Sequence, residues 1–233
     1  MPAVRVRGHG GPMTELYEGL LSTRSIRRFR PDPVSDEDLA AILFAASRAP
    51  NGSNRQAFRF VVLRDGPVAV EAKGILGEAF REMWAAMSQG DYARLAQGDE
   101  STAAGRAGRA MQQFVDRFEQ IPVVVLPCLI RYRKPEVSEG ASVYPACQNL
   151  LLAARARGLG GVLTMWHAAV EDDLRALLGI PDGTSIAATI PIGHPEGSHG
   201  PVRRRPLREV VYEDRWEQSP DWAVDPPGTR FTR

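Results

Sequence analysis

The chain has few of the residues that announce most chemistries. Its 233 residues include two cysteines and four histidines, and neither set has the spacing of a structural zinc site, so no metal is expected. Cys128 lies in IPVVVLPCLI and Cys147 in ASVYPACQNLLLAARA. Both contexts are apolar, so both read as buried small hydrophobes, with no disulfide between them. No apolar run approaches the roughly 20 residues that span a bilayer, which predicts a soluble protein without a membrane partner. An excess of one charge is lacking too: 29 Lys+Arg face 28 Asp+Glu, for a net charge of +1. No global field therefore draws the chain to nucleic acid. There is no G-x-S-x-G, no H-E-x-x-H and no Walker loop. The GLGG at Gly158 to Gly161 follows a helical pattern rather than a strand, so it is a poor dinucleotide fingerprint. His167 and His194 lie near glycine turns and read as hydrogen-bonding residues. The opening MPAVRVRGHGGPM is basic but has no apolar core of a signal peptide. It reads as a disordered arm over residues 1–13, and the cytoplasm is the expected compartment.

What is present is an ordinary globular composition, 43% hydrophobic and 24% charged, in a chain long enough for one large domain. TELYEGLLSTRS places Leu16, Tyr17, Leu20 and Leu21 on one helical face. SDEDLAAILFAASRAP reads as a helix with Ser35 as N-cap, acidic residues in its first turn, Leu39, Ile42, Leu43 and Ala46 inward, and Pro50 as the stop. FRFVVLRD alternates as a strand does, and residues 68–88 read as helix. Residues 88–120 are polar and small at first and then helical, an insertion placed to act as a lid. PVVVLPCLIRY is a continuous apolar run, expected to be a strand covered on both faces. Residues 140–157 predict a central helix, GLGGVLTMW a glycine-led strand, EDDLRALLGI a short helix and SIAATIPIGHP a further strand. The pattern is α+β: a mixed sheet flanked by helices, in three layers. The tail, residues 217–233 with Trp222 following Trp216, is too apolar to float and too short to fold alone. It is expected to pack on a second copy of the chain.

Three distant segments carry chemistry suited to anions and polar rings. TRSIRRFRPDPV puts Arg24, Arg27, Arg28 and Arg30 within seven residues beside Ser25; arginine forks and a hydroxyl match phosphate oxygens. APNGSNRQ offers the amides of Asn51, Asn54 and Gln56 around Gly52. GPVRRRPL supplies Arg203, Arg204 and Arg205. Each alone reads better as a solvated basic turn or a plain loop.

In combination and in order they resemble the FMN-dependent nitroreductase family. Arg24, Ser25, Arg27 and Phe29 match its R-S-x-R-x-F segment, and Ala49, Pro50, Asn54, Gln56 and Phe58 its A-P-S-x-x-N-x-Q-P-W. GLGGVLTMW, LLGIP, IPIGHP and RRRPLREVVYEDRW follow in the family's order. The resemblance covers residues 14–216. It implies a homodimer with FMN at the subunit interface and no catalytic side chain of the protein, the chemistry being at flavin N5. Arg24, Ser25 and Arg27 would hold the cofactor, with Arg204 or Arg205 at its phosphate and Arg27 also supporting the reduced ring. Asn51, Gly52, Asn54 and Gln56 would contact it from one subunit or the other, and Leu163, Thr164 and Met165 would line the ring. The implied activity is hydride transfer from NADH or NADPH through FMN to a small-molecule acceptor, such as a nitroaromatic, quinone or activated alkene. The family also implies alternatives: flavin storage or sensing, dehalogenation and flavin fragmentation. Departures are Asn51 for a common Ser, QAF for QPW, and Thr23 where many members carry Arg.

Overall fold

The computed structural model describes residues 16–231 apart from 91 and 100; the expected arm over residues 1–13 lies outside them. The core is built around one strand. β2 (Val123–Ile130) is buried along almost its whole length, as its unbroken apolar run predicts. Its alternate residues serve two cores: Val123, Val125 and Leu129 face one, and Val124, Leu126 and Cys128 the other.

The first core is closed by α2 (Asp36–Ser47) and α6 (Tyr144–Ala156), which contribute Ile42, Ala46, Cys147 and Leu150. Ser35 caps α2 as expected, its Oγ accepting from Asp38 N–H at 3.0 Å. The helices run antiparallel: Asn149 Nδ2 donates to Ala45 O at 3.3 Å, and at the opposite end Arg157 pairs with Asp38. The second core is covered by α3 (Pro67–Gln89), α5 (Ala103–Asp116) and α7 (Glu171–Leu178). Phe80, Phe114 and Phe118 meet there, with ring centroids of Phe80 and Phe118 4.6 Å apart. The short α4 (Ala93–Ala96) precedes α5. Thus the first half of the 88–120 insertion is peripheral, while Phe114, Val115 and Phe118 anchor its second half in the core.

The three-layer α+β arrangement is the expected one, but the sheet is not mixed. β1 (Phe58–Leu63), β2, β5 (Ile190–Gly193) and β3 (Gly160–Gly161) lie in that order, β4 (Thr184–Ile186) also pairs with β2, and every described pairing between these strands is antiparallel. The expected single strand over SIAATIPIGHP is β4 and β5 separated by a bulge. Two residues of β2 lie between Val125 and Cys128, whereas three lie between their partners Ile190 and Ile186. The extra residue bends the chain at Ala187–Thr189.

α1 (Leu16–Ser22) forms as expected, and its apolar stripe faces outward: Leu16, Tyr17, Leu20 and Leu21 are all at least half exposed, and Gly19 and Ser22 are buried. The central helix begins at Tyr144 rather than 140, because residues 139–142 form a separate 3-10 turn. Cys128 and Cys147 are free and buried. Among the described residues no helix is long and apolar enough to cross a membrane, and no group of three or more His, Cys, Asp or Glu is placed to hold a metal ion.

Candidate active site

The arginine segment is laid against the sheet's edge by backbone bonds. Ile26 N donates to Gly161 O at 2.9 Å, Arg30 N to His194 O at 2.8 Å, and Glu196 N to Arg28 O at 3.0 Å. The approach is close enough to require glycine: a Cβ at Gly160 would meet Ile26 Cγ1 at 2.6 Å, and one at Gly161 would meet Pro191 O at 2.7 Å. Gly160 and Gly161 of GLGG therefore serve strand contact.

Arg24, Ser25 and Arg28 are exposed, whereas Arg27 is half-buried. Burial lowers the Arg27 guanidinium's pKa below the usual arginine value. No hydrogen bond or ion pair to its side chain is found among the described residues. A partly desolvated cation without a carboxylate is a group that gains from an anion. Arg24 is tied down through its backbone: its N–H donates to His199 Nδ1 at 3.3 Å, while His199 Nε2 bonds Leu159 O at 3.2 Å. This pair of bonds defines the neutral ring with its proton on Nε2. Sequence gave no signal for His199, because its partner is 175 residues away.

From Gly161 the chain runs on through Leu163, Thr164 and Met165. Thr164 and Thr189 exchange backbone bonds of 3.0 and 2.8 Å at the bulge. Met165 is exposed, and its sulfur lies 3.9 Å from the Tyr144 hydroxyl, which also donates to Ala187 O at 3.3 Å. Tyr144 is a second residue that sequence did not single out. Its ring occupies the space where a Gly140 side chain would stand, a Cβ there lying 2.5 Å from Cε2.

The APNGSNRQ loop lies at the other end of α6. Gly52 N–H donates to Ser142 Oγ at 3.4 Å, just before that helix, whereas Arg155 at its far end bonds Ser22 Oγ at 2.8 Å, two residues before Arg24. A 13-residue helix is about 20 Å long. The arginine segment and the loop thus stand at opposite ends of it, with Leu163–Met165 running between. Ser53, Asn54 and Gln56 all have positive φ, 51 to 53°, conformations that non-glycine residues adopt at a cost and that cluster at binding sites. Asn51 is the staple of this loop. Its Oδ1 accepts Gln56 N–H at 2.7 Å and its Nδ2 donates to Ala49 O at 3.4 Å. Asn54 and Gln56 are exposed.

Arg204 and Arg205 are exposed as well. Val202 N donates to Leu21 O at 3.3 Å, which brings the start of this tail beside α1, and Arg204 forms a parallel bridge with Phe231. Among the described contacts none joins Arg204 or Arg205 to Arg24, Ser25 or Arg27.

The Nitroreductase family model matches residues 20–194. The chain belongs to that family. It is 32% identical to an NADH dehydrogenase of Thermus thermophilus over 212 residues, 86% of this chain and 96% of the relative. It is 30% identical to a 5,6-dimethylbenzimidazole synthase of Rhodospirillum rubrum, over 76% and 80% of the two chains. Among solved structures, a protein of Desulfovibrio desulfuricans in complex with FMN superposes with a TM-score of 0.62 at 29% identity, over 87% of this chain and 98% of that one. The strand-and-glycine strip from Arg24 to Met165 lies within the matched segment, as does the Asn51–Gln56 loop.

Proposed function

We propose that this nitroreductase-family protein is an NAD(P)H-dependent FMN oxidoreductase that reduces an electron-poor acceptor: a nitroaromatic, a quinone or an activated alkene. The observation that carries the reading is Arg27, a half-buried guanidinium with no partner among the described residues, beside the strip that leads to Met165. The donor set fits FMN. Arginine forks and a hydroxyl suit its phosphate, and amides and backbone N–H groups suit the polar edge of its ring. The relative solved with FMN and those named for NADH and NADPH chemistry support the same cofactor and donors.

Bound FMN supplies the hydride-accepting and hydride-donating centre. The chain's own residues bind, orient and shield. Arg24, Ser25 and Arg27 hold the phosphate end, joined by Arg204 and Arg205. The half-buried Arg27 charge would also favour the electron-rich reduced ring, since a cation nearby stabilises negative charge as it develops. Leu163, Thr164 and Met165 line the ring, and Gly52, Asn54 and Gln56 approach it from a loop that Asn51 keeps closed. No protein nucleophile is required. Donor and acceptor take turns at one face, a ping-pong scheme, because the same exposed strip must serve both.

The working unit is a homodimer. The exposed stripe of α1 and the exposed Trp216, Trp222 and Val224 of the tail are apolar surface that a second copy would cover. Steady-state NAD(P)H oxidation with menadione or nitrofurazone, varied against donor concentration, tests the scheme. Parallel double-reciprocal lines support it, and acceptor-independent rates contradict it. The likeness to 5,6-dimethylbenzimidazole synthase supports a second reading in which FMN is fragmented. Intact FMN recovered after many turnovers removes that reading.

A further inference from the structure

The Asn51–Gln56 loop leads into a basic edge that the flavin reading does not use. Ile130 N donates to Ala57 O at 2.7 Å, extending the β1–β2 ladder one step past Phe58 and Leu129 and setting residues 55–57 beside 130–132. Across this junction the Arg55 guanidinium packs on the Tyr132 ring, 4.3 Å from its centroid, and Arg133 packs on the same ring at 5.3 Å. Tyr132 is itself half exposed.

Residues 55–59 and 131–139 hold five cations, Arg55, Arg59, Arg131, Arg133 and Lys134, against two carboxylates, Glu136 and Glu139. Both carboxylates are taken: Glu139 by Arg131 at 2.6 Å, and Glu136 by Arg133. Arg59 donates to Gln56 O and Phe58 O. Arg55 and Lys134 are exposed, and no ion pair to either is found among the described residues. The ring holds Arg55 in place before any ligand arrives, which reduces the ordering cost of using it. Uncompensated positive charge on a fixed arginine suits a phosphate better than a hydroxyl.

We propose that Arg55 and Lys134 bind the 2′-phosphate of NADPH, and that the protein selects NADPH over NADH on this basis. The inference rests on the oxidoreductase reading above, and it follows from position: the edge is continuous with the loop assigned to the ring, whereas Arg24, Arg27 and Arg204 are occupied by the cofactor's phosphate. The 2′-phosphate is the one group by which the two donors differ. Arg55 and Lys134 therefore affect the choice of donor and leave the transfer itself alone.

Calorimetric titration of the FMN-loaded protein with 2′-phospho-ADP-ribose and with ADP-ribose tests this directly. The expected result is binding of the phosphorylated probe about tenfold or more tightly, the scale of a charge-assisted contact. Arg55→Ala with Lys134→Ala should bring the two probes to nearly equal affinity without changing that of ADP-ribose, and Arg55→Lys should retain part of the preference. Equal binding of the probes by the wild type, binding of neither, or a preference that survives the double substitution overturns the proposal. Reduction by neither nucleotide would instead overturn the oxidoreductase reading, and the probe comparison would still decide the phosphate site.

Discussion

Ile26 lies directly on the backbone of Gly160: a Cβ built there would stand 2.6 Å from Ile26 Cγ1 and 2.9 Å from its Cβ. The arginine segment is held in its place by this contact and by the Ile26 bond to Gly161 O. Gly160→Ala should push the segment off the strand, costing about 1–3 kcal/mol, the usual range for overpacking a buried contact. Urea denaturation reads the stability, and FMN titration should show weaker binding in the same variant. Unchanged values in both would mean that the segment yields freely.

Arg27→Ala should weaken FMN binding by about tenfold or more, on the scale of a lost charge-assisted bond, and slow flavin reduction. Flavin fluorescence titration and anaerobic reduction by NAD(P)H check it. Wild-type affinity and rate would remove Arg27 from the site.

Much of this was legible in the sequence, and the reasons are local. β2 announced itself as an unbroken apolar run, and α2 through Ser35, its acidic first turn and the spacing of Leu39, Ile42 and Ala46. The bulge at Ala187–Thr189 was not legible, because SIAATIPIGHP is uniformly apolar or small and periodicity cannot register one extra residue. The outward face of α1 was not legible for a related reason: an apolar stripe does not say whether the covering surface belongs to the same chain. The arginine segment and the APNGSNRQ loop could be named from sequence. Their separation by the length of α6 could not, nor could His199 and Tyr144, whose contacts join distant parts of the chain.

His167 gives a pH dependence with a defined sign. It is 1% exposed, its Nε2 bonds Ile186 O at 2.8 Å, and its Nδ1 has no hydrogen-bond partner among the described residues. Burial lowers its pKa below the ordinary histidine value of about 6.5, against smaller opposing effects of the Ile186 bond and Glu171. A depressed histidine pKa means that the fold favours the neutral ring. Its stabilising contribution is therefore present above about pH 6.5 and is lost as pH falls toward and through the lower folded value. Urea midpoints between pH 8 and pH 5 should fall with acidity, and His167→Gln should flatten that slope. An equal slope in the variant would assign the acid sensitivity elsewhere.

Both thiols should be silent in the native protein. Burial pushes Cys128 up to about 11 and Cys147 to about 12, so almost no thiolate exists at pH 8. A disulfide-exchange reagent should label neither cysteine in the folded state and both in guanidinium. Rapid native labelling would show that one of these faces of β2 or α6 opens readily.

The dimer should show in solution as twice the chain mass of 25.5 kDa. Removing residues 217–233 takes away Trp222 and Val224, 62% and 71% exposed, and should shift the equilibrium toward monomer with loss of FMN. Sedimentation velocity with absorbance at the flavin band follows both. A full-length chain that sediments as a monomer would contradict the assignment of the tail to a partner.

The central claim is that this protein carries electrons from a nicotinamide nucleotide through FMN, and anaerobic stopped-flow absorbance tests it most directly. The FMN-loaded protein is mixed with NADPH, and separately with NADH, and the bound flavin band is followed. The account predicts rapid bleaching, faster at low donor concentration with NADPH, and recovery of the band when nitrofurazone or menadione is added. FMN that binds but is bleached by neither nucleotide would contradict the oxidoreductase assignment. A protein that does not bind FMN would contradict the site itself.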